Sequence, residues 1–147
     1  MAAPSTANDQ FQERLVSLVR ACGLHHPDTT PCGRPVSISE AHAVMEIGRD
    51  EPLSQGELAK LLRLDKSTVS RLVRLLEDRG WLNRDRAVHD GRVAQLTLTS
   101  AGRAAERDLA TARAARFAAV VAHIPTNERA TVLCSIDTLV EAFRAAG

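Results

Sequence analysis

The sequence contains no tyrosine, one tryptophan and three phenylalanines, so aromatic residues make up only 3% of its 147 positions. A core must then be built from Leu, Val, Ile and Ala, a palette that favours helices over strands. Long apolar runs are also missing. None approaches the roughly 18 residues that span a bilayer, so no membrane association is expected. The opening MAAPSTANDQ lacks a basic segment followed by a hydrophobic stretch, so it does not read as a secretory signal, and the cytoplasm is the expected location. Three cysteines (Cys22, Cys32 and Cys134) cannot all pair within one chain. In a reducing compartment, free thiols or metal ligands are expected rather than a structural disulfide. The phosphate-cradling patterns G-x-x-x-x-G-K-[ST] and G-x-G-x-x-G are absent, as are G-x-S-x-G and H-E-x-x-H. A Cys/His pair is present without any recognisable signature around it, so an enzyme is not expected.

What is present suffices for one folded domain. The chain is 44% hydrophobic and 25% charged, enough apolar material to build a core. Its net charge of +1 conceals a local surplus. Between Lys60 and Arg92 there are nine cations (Lys60, Arg63, Lys66, Arg71, Arg74, Arg79, Arg84, Arg86 and Arg92) against five acids. Charge alone fits either a footprint for phosphate or a solvated face.

Periodicity outlines the elements. Residues 1–8 read as a disordered tail and 9–147 as the domain. Phe11, Leu15, Leu18, Val19 and Cys22 recur at helical spacing, and the Gly/Pro-rich stretch 23–35 breaks that helix. Ser37-x-x-Glu40 is a capping box opening a second helix, with Ile38, Ala41, Met45 and Gly48 on one face. Ser54-x-x-Glu57 opens a short third helix, and Asp65 caps a fourth. In that fourth helix Val69, Leu72, Val73 and Leu76 follow the i, i+3, i+4, i+7 rule, and Gly80 ends it in a left-handed conformation. The period then changes to a two-stranded hairpin turning at Asp90-Gly91. A long Ala-rich helix from about Ser100 to His123 follows. After Pro125 a last helix carries Val132, Ile136, Leu139, Val140 and Phe143 on one stripe. The fold class is mainly α with a small β-hairpin wing. A winged helix-turn-helix at about 37–99 lies between helices at about 9–24 and 104–146, whose excess of apolar surface predicts a homodimer.

Two short helices joined at Arg63-Leu64-Asp65 make a helix-turn-helix, and the outer side of the second begins Lys66, Ser67, Thr68, Ser70, Arg71, with Arg74 one turn on. Small hydroxyls allow close approach to base edges and phosphates, while Lys and Arg supply charge and donors. The start of such a helix enters the major groove, and its free N–H groups favour a phosphate. Ser54 and Gln55, at the start of the first helix of the pair, complete the candidate surface on that side. In the hairpin Arg84 and Arg86 lie on the rising strand, and Arg92 projects at the tip towards a minor groove. A winged helix used for protein contact is the alternative of a different class, but this hydroxyl- and Arg-rich face lacks the apolar anchors of such interfaces.

The residues LSQGELAKLLRLDKSTVSRLVRLLEDRGWLNR at 53–84, D-x-R at 90–92 and L-T-L-T-S-A-G-R at 96–103 resemble the MarR family of bacterial regulators. The motif block is specific, whereas the flanking helices match in arrangement only. The resemblance implies a homodimer with interlocked terminal helices. It also implies binding of double-stranded DNA at a short palindrome, usually as a repressor released by a small molecule, an oxidant or a metal. In the family pattern the Asp90 carboxylate braces Arg92 in the wing.

The switching input is open. Cys22, Cys32 and His42 are spaced C-x9-C-x9-H, with His25, His26 and Glu40 nearby, which admits a zinc site or a thiol switch. The spacing matches no standard zinc signature. Zinc-sensing relatives place histidines on the long helix after the wing, which here has none before His123. The alternative is that Cys22 is a small core hydrophobe on the stripe of Leu15 and Val19, His42 a partly buried histidine, and the others plain loop residues.

Overall fold

Three reciprocal capping boxes set the starts of the first three helices. The structure, a computed structural model, describes residues 6–86 and 93–147. Helix α1 spans Ala7–Cys22. Thr6 accepts from the Asp9 N–H at 3.2 Å, and the Asp9 carboxylate accepts from the Thr6 N–H at 2.9 Å. The helix therefore begins inside the stretch expected to be a disordered tail, because this cap satisfies its first N–H groups. It stops at Gly23, whose φ of +76° is the left-handed conformation glycine adopts without a Cβ penalty. Helix α2 spans Ile38–Asp50 behind the Ser37/Glu40 box. Its buried side is Glu40, Ala41, Ala43, Val44 and Ile47. Of the face expected from the sequence only Ala41 is buried, because α2 is packed by α3, α4 and the sheet together and not on one stripe.

Helix α3 (Gln55–Leu62) follows the Ser54/Glu57 box, and α4 (Lys66–Asp78) follows Asp65. Gly80, at φ +71°, closes α4 as expected: its N–H reaches the Glu77 carbonyl at 2.8 Å and the Trp81 N–H reaches that of Leu76 at 3.0 Å. The sheet has three strands, not two, in the order β1-β3-β2. Strand β2 (Leu82–Arg86) pairs antiparallel with β3 (Ala94–Leu98), and β3 also pairs with the two-residue β1 (Leu53–Ser54), Leu53 opposite Leu96. Two residues leave no alternation to read, so β1 is invisible to periodicity. Helix α5 spans Ser100–Ala122 and α6 Arg129–Ala146, joined through a 3-10 turn at Thr126–Glu128.

The chain forms two compact units, one ending at Arg113 and one from Ala114 to Gly147. The first holds the core, where Val44, Ile47, Leu58, Val69, Val73, Leu76 and Leu96 are fully buried and Leu109 of α5 joins them. In the second unit α6 buries no residue, and Phe117, Val120, Val121, Leu133, Ile136, Val140 and Phe143 are exposed. Among the described residues no helix is long and apolar enough to cross a membrane.

One buried ion pair fixes the end of α4 against the start of α2. Glu40 is 5% exposed. Its carboxylate accepts from the Ser37 N–H at 2.9 Å and from Arg79 Nε at 2.7 Å, and the Arg79 guanidinium sits 5.2 Å from the Trp81 ring centre. Burial pushes the Glu40 carboxyl up, but the Ser37 N–H, the Arg79 hydrogen bond, the Ser37 hydroxyl and the Arg79 charge together hold it below 4.5. A lowered folded value means the contribution is complete above 4.5 and is lost as pH falls through the folded value. Glu40→Ala is expected to cost about 2 kcal/mol at neutral pH, discounted because Arg79 stays partly solvated. Glu40→Gln should cost less, and its deficit should shrink in urea titrations repeated at acid pH. A deficit independent of pH would contradict the ion-pair account.

Candidate nucleic-acid interface

The inner stripe of α4 decides what its outer side displays. With Val69, Leu72, Val73 and Leu76 buried, a rotation of about 100° per residue places Ser67, Arg71 and Arg74 opposite them. Lys66 and Ser70 lie on one flank and Thr68 on the other. Lys66, Ser67, Arg71 and Arg74 are exposed, and none of the ion pairs between described residues uses Lys66, Arg71 or Arg74. An open groove between α3 and the start of α4 is walled by Glu57, Lys60, Asp65 and Lys66. The helix-turn-helix thus offers Arg71 and Arg74 on the outer side of α4 and Lys66 on its flank, on a rigid core.

The hydroxyls behave differently from expectation. Ser67 Oγ donates to Asp65 Oδ1 at 2.6 Å, and Thr68 Oγ1 donates to Asp65 Oδ2 at 2.6 Å. The Thr68 N–H also reaches Oδ1, at 2.8 Å. These bonds, that from Ser67 first, hold the Asp65 carboxyl far below the usual carboxylate range. The position at the helix N-terminus expected to favour a phosphate is occupied by this anion. Asp65 is the residue of this surface that sequence reasoning placed only as a cap, and the pattern Asp-x-Ser-Thr was the available signal for its further bonds. Ser54 is engaged likewise, its Oγ accepting from the Glu57 N–H at 3.2 Å, and Gln55 follows it as the first residue of α3.

On the wing, Arg84 is not a free cation. Strand alternation puts it on the same side as buried Leu82, facing α4, and its guanidinium meets Glu77 at 3.2 Å. Arg86 ends β2, with its side chain outside what the structure describes. Asp90, Arg92 and the expected turn at Gly91 lie outside the described residues.

The turn of the helix-turn-helix carries one residue that sequence reasoning passed over. Arg63 adopts φ 53°, ψ 42°, left-handed and rarely taken by a residue with a Cβ, and its N–H reaches the Lys60 carbonyl at 3.2 Å. Glycine would relieve that conformation, so an exposed cation is kept here against backbone preference. Arg63→Gly is expected to stabilise the protein by about 0.5 kcal/mol, relief of the left-handed cost less the extra freedom of the unfolded chain. It should at the same time weaken DNA binding about fivefold through one lost phosphate contact. Thermal melts and fluorescence anisotropy check the two signs separately.

Cys22, Cys32 and His42 do not form the expected cluster. Among the described residues no three His, Cys, Asp or Glu side chains are grouped so as to hold a metal ion. His42 is exposed on α2, and the Cys32 thiol lies 3.0 Å from the Thr30 hydroxyl inside its own loop. Thr30 is buried and its Oγ1 accepts from the Arg34 N–H at 3.0 Å, so this part of the loop is braced by its own residues. Cys22 is half-buried and Cys134 exposed.

Residues 35–93, from before α2 to the start of β3, match the model of the MarR family. Over this segment the chain is similar to a family of DNA-binding transcription regulators. Three solved structures have the same winged-helix fold. FabT of Streptococcus pneumoniae in complex with DNA gives a TM-score of 0.76 at 22% identity, covering 95% of this chain and 99% of its own. The S. aureus MepR–DNA complex gives 0.70 at 18%, covering 93% and 98%. The PcaV transcriptional regulator of Streptomyces coelicolor, in complex with its natural ligand, gives 0.72 at 21%, covering 97% and 98%. At such identities the likeness is one of fold. No curated protein gives a significant match to the sequence.

Proposed function

We propose that this chain is a MarR-family regulator that acts in the cytoplasm as a homodimer, binds a palindromic operator, represses transcription by occupying it, and is released by a small organic effector. The observation that carries the reading is the solvent side of α4, where Arg71 and Arg74 on the outer face and Lys66 on its flank stand exposed and outside every described ion pair. In this reading 9–147 is one domain. Residues 37–99 read DNA with Lys66, Ser67, Thr68, Ser70, Arg71 and Arg74 in the major groove, Ser54 and Gln55 against the backbone, and Arg84, Arg86, Asp90 and Arg92 forming the wing.

Residues 9–24 and 104–146 dimerise. Support comes from helices that bury nothing within the chain: α1 has no buried residue while Val16 and Leu18 are exposed, and α6 leaves Leu133, Ile136 and Val140 to solvent. Exposed apolar surface on this scale marks an interface. A dimer also supplies two α4 helices about 34 Å apart for a two-fold site. The DNA complexes of FabT and MepR and the ligand complex of PcaV support the choice of DNA and of a small molecule.

The test is sedimentation at micromolar concentration combined with a gel shift against excess competitor DNA. The expected outcome is twice the chain mass, specific retardation, and a loss of roughly five- to a hundredfold in affinity for Arg71→Ala with folding intact. A monomer refutes the dimer, and unchanged affinity refutes the placement of the DNA face.

A further inference from the structure

A hydroxyl group has one proton to donate and two lone pairs that accept. On α4 that proton is committed twice over to the same carboxylate, Ser67 Oγ to Asp65 Oδ1 and Thr68 Oγ1 to Oδ2, both at 2.6 Å. Hydrogen bonds to an anion are short and about twice as strong as neutral ones, so these hydroxyls do not rotate freely to suit a partner. The Asp65 carboxyl is held ionised well below neutral pH, so it only accepts and the direction of both bonds is fixed. Only lone pairs remain on the Ser67 oxygen, on the side of α4 turned away from the buried stripe.

We propose that Asp65 makes Ser67, and with it Thr68, an obligate hydrogen-bond acceptor, so that the start of α4 selects an exocyclic amino group in the major groove: adenine N6 or cytosine N4. This rests on the DNA reading proposed above. In the major groove guanine presents only acceptors, N7 and O6, thymine presents O4 beside its methyl, and adenine and cytosine alone carry a donor. A free serine would read either kind. A serine whose proton is already given to Asp65 meets a guanine or thymine edge with oxygen against oxygen and rejects it. Asp65 also sets its own charge at the place where a phosphate would otherwise seat, which keeps the helix start for bases and leaves phosphate to Arg71, Arg74 and Lys66. Asp65 is thus a positioning residue for specificity as well as the cap of the reading helix.

The preferred duplex is first selected from random sequences with the wild-type chain. Each adenine of that duplex is then replaced by purine, which lacks the N6 amine, and each cytosine by its pyrimidinone analogue, which lacks the N4 amine. The expected result is one position per half-site where deleting the amine weakens wild-type binding about fivefold yet leaves Ser67→Ala unaffected. Whether that position is adenine or cytosine identifies the base. Asp65→Asn keeps an N-cap of equal rank but presents a single acceptor oxygen, which frees a hydroxyl proton. It should retain its helix content by circular dichroism and tolerate guanine or thymine at the same position. Equal losses for wild type and Ser67→Ala at every amine, or unchanged discrimination in Asp65→Asn, overturn the proposal. A selection that yields no preferred duplex overturns the DNA reading itself, and this proposal with it.

Discussion

Raising monovalent salt from about 50 to about 200 mM is expected to weaken operator binding roughly a thousandfold. The magnitude follows from counting cations that are free to neutralise phosphate. Of the nine cations between Lys60 and Arg92, Arg79 is held by Glu40 and Arg84 by Glu77. These two are structural, and their counter-ions are already in the protein. Arg63, Lys66, Arg71 and Arg74 are exposed without such partners, a dimer presents each of them twice, and about three in four of these are taken to meet phosphate, the rest facing base edges. Roughly six neutralised phosphates give a slope near −5 in log affinity against log salt. Anisotropy titrations at four salt concentrations measure the slope. A value shallower than about −2 would mean that α4 does not meet the phosphate backbone in this way.

What the sequence revealed and what it hid divide along a physical line. Helix starts are governed by side chains within three residues of the cap. Ser37 with Glu40, Ser54 with Glu57, and Asp65 were therefore legible before any coordinates, as was the stop at Gly80. The inner stripe of α4 was legible for the same reason, since one face of one helix meets one core. The buried side of α2 was not, because three elements surround it and a single apolar period cannot describe such packing.

Bonds between distant positions were equally hidden. Glu51 accepts from the Leu98 N–H at 2.9 Å and also pairs with Arg103, and Arg34 meets Asp108 at 2.8 Å. None of these has a local signature, because only the fold brings the partners together. Within the candidate site the residue types were legible and their engagement was not. Ser67 and Thr68 read as open hydroxyls until the geometry of Asp65 assigned their protons.

Replacing Gly102 with alanine is expected to destabilise the protein by about 3 kcal/mol and to lower operator affinity in the fraction that still folds. Within a helix, Gly→Ala ordinarily gains about 1 kcal/mol, so the sign alone is diagnostic. Gly102 lies in the first turn of α5 and is buried. A Cβ there would stand 2.0 Å from the Trp81 carbonyl oxygen and 2.9 Å from its carbon, backbone atoms that cannot swing aside. That carbonyl is itself in use, accepting from the Thr99 N–H at 3.0 Å. Thr99 Oγ1 in turn donates to the Gly80 carbonyl at 2.6 Å and accepts from the Gly102 N–H at 3.0 Å. The end of α4, the start of β2 and the start of α5 therefore meet at one point, and a methyl group there must push the reading helix and the wing strand apart. Gly48 supplies the control. Its Cβ would lie 2.4 Å from the Glu106 carboxyl carbon, but that is the far end of a flexible side chain that can turn away. Gly48→Ala should be neutral or stabilising, while Gly102→Ala loses both stability and affinity. Urea denaturation of the pair decides the matter, and equal behaviour of the two variants would show that the contact with Trp81 does not hold α4 and the wing together.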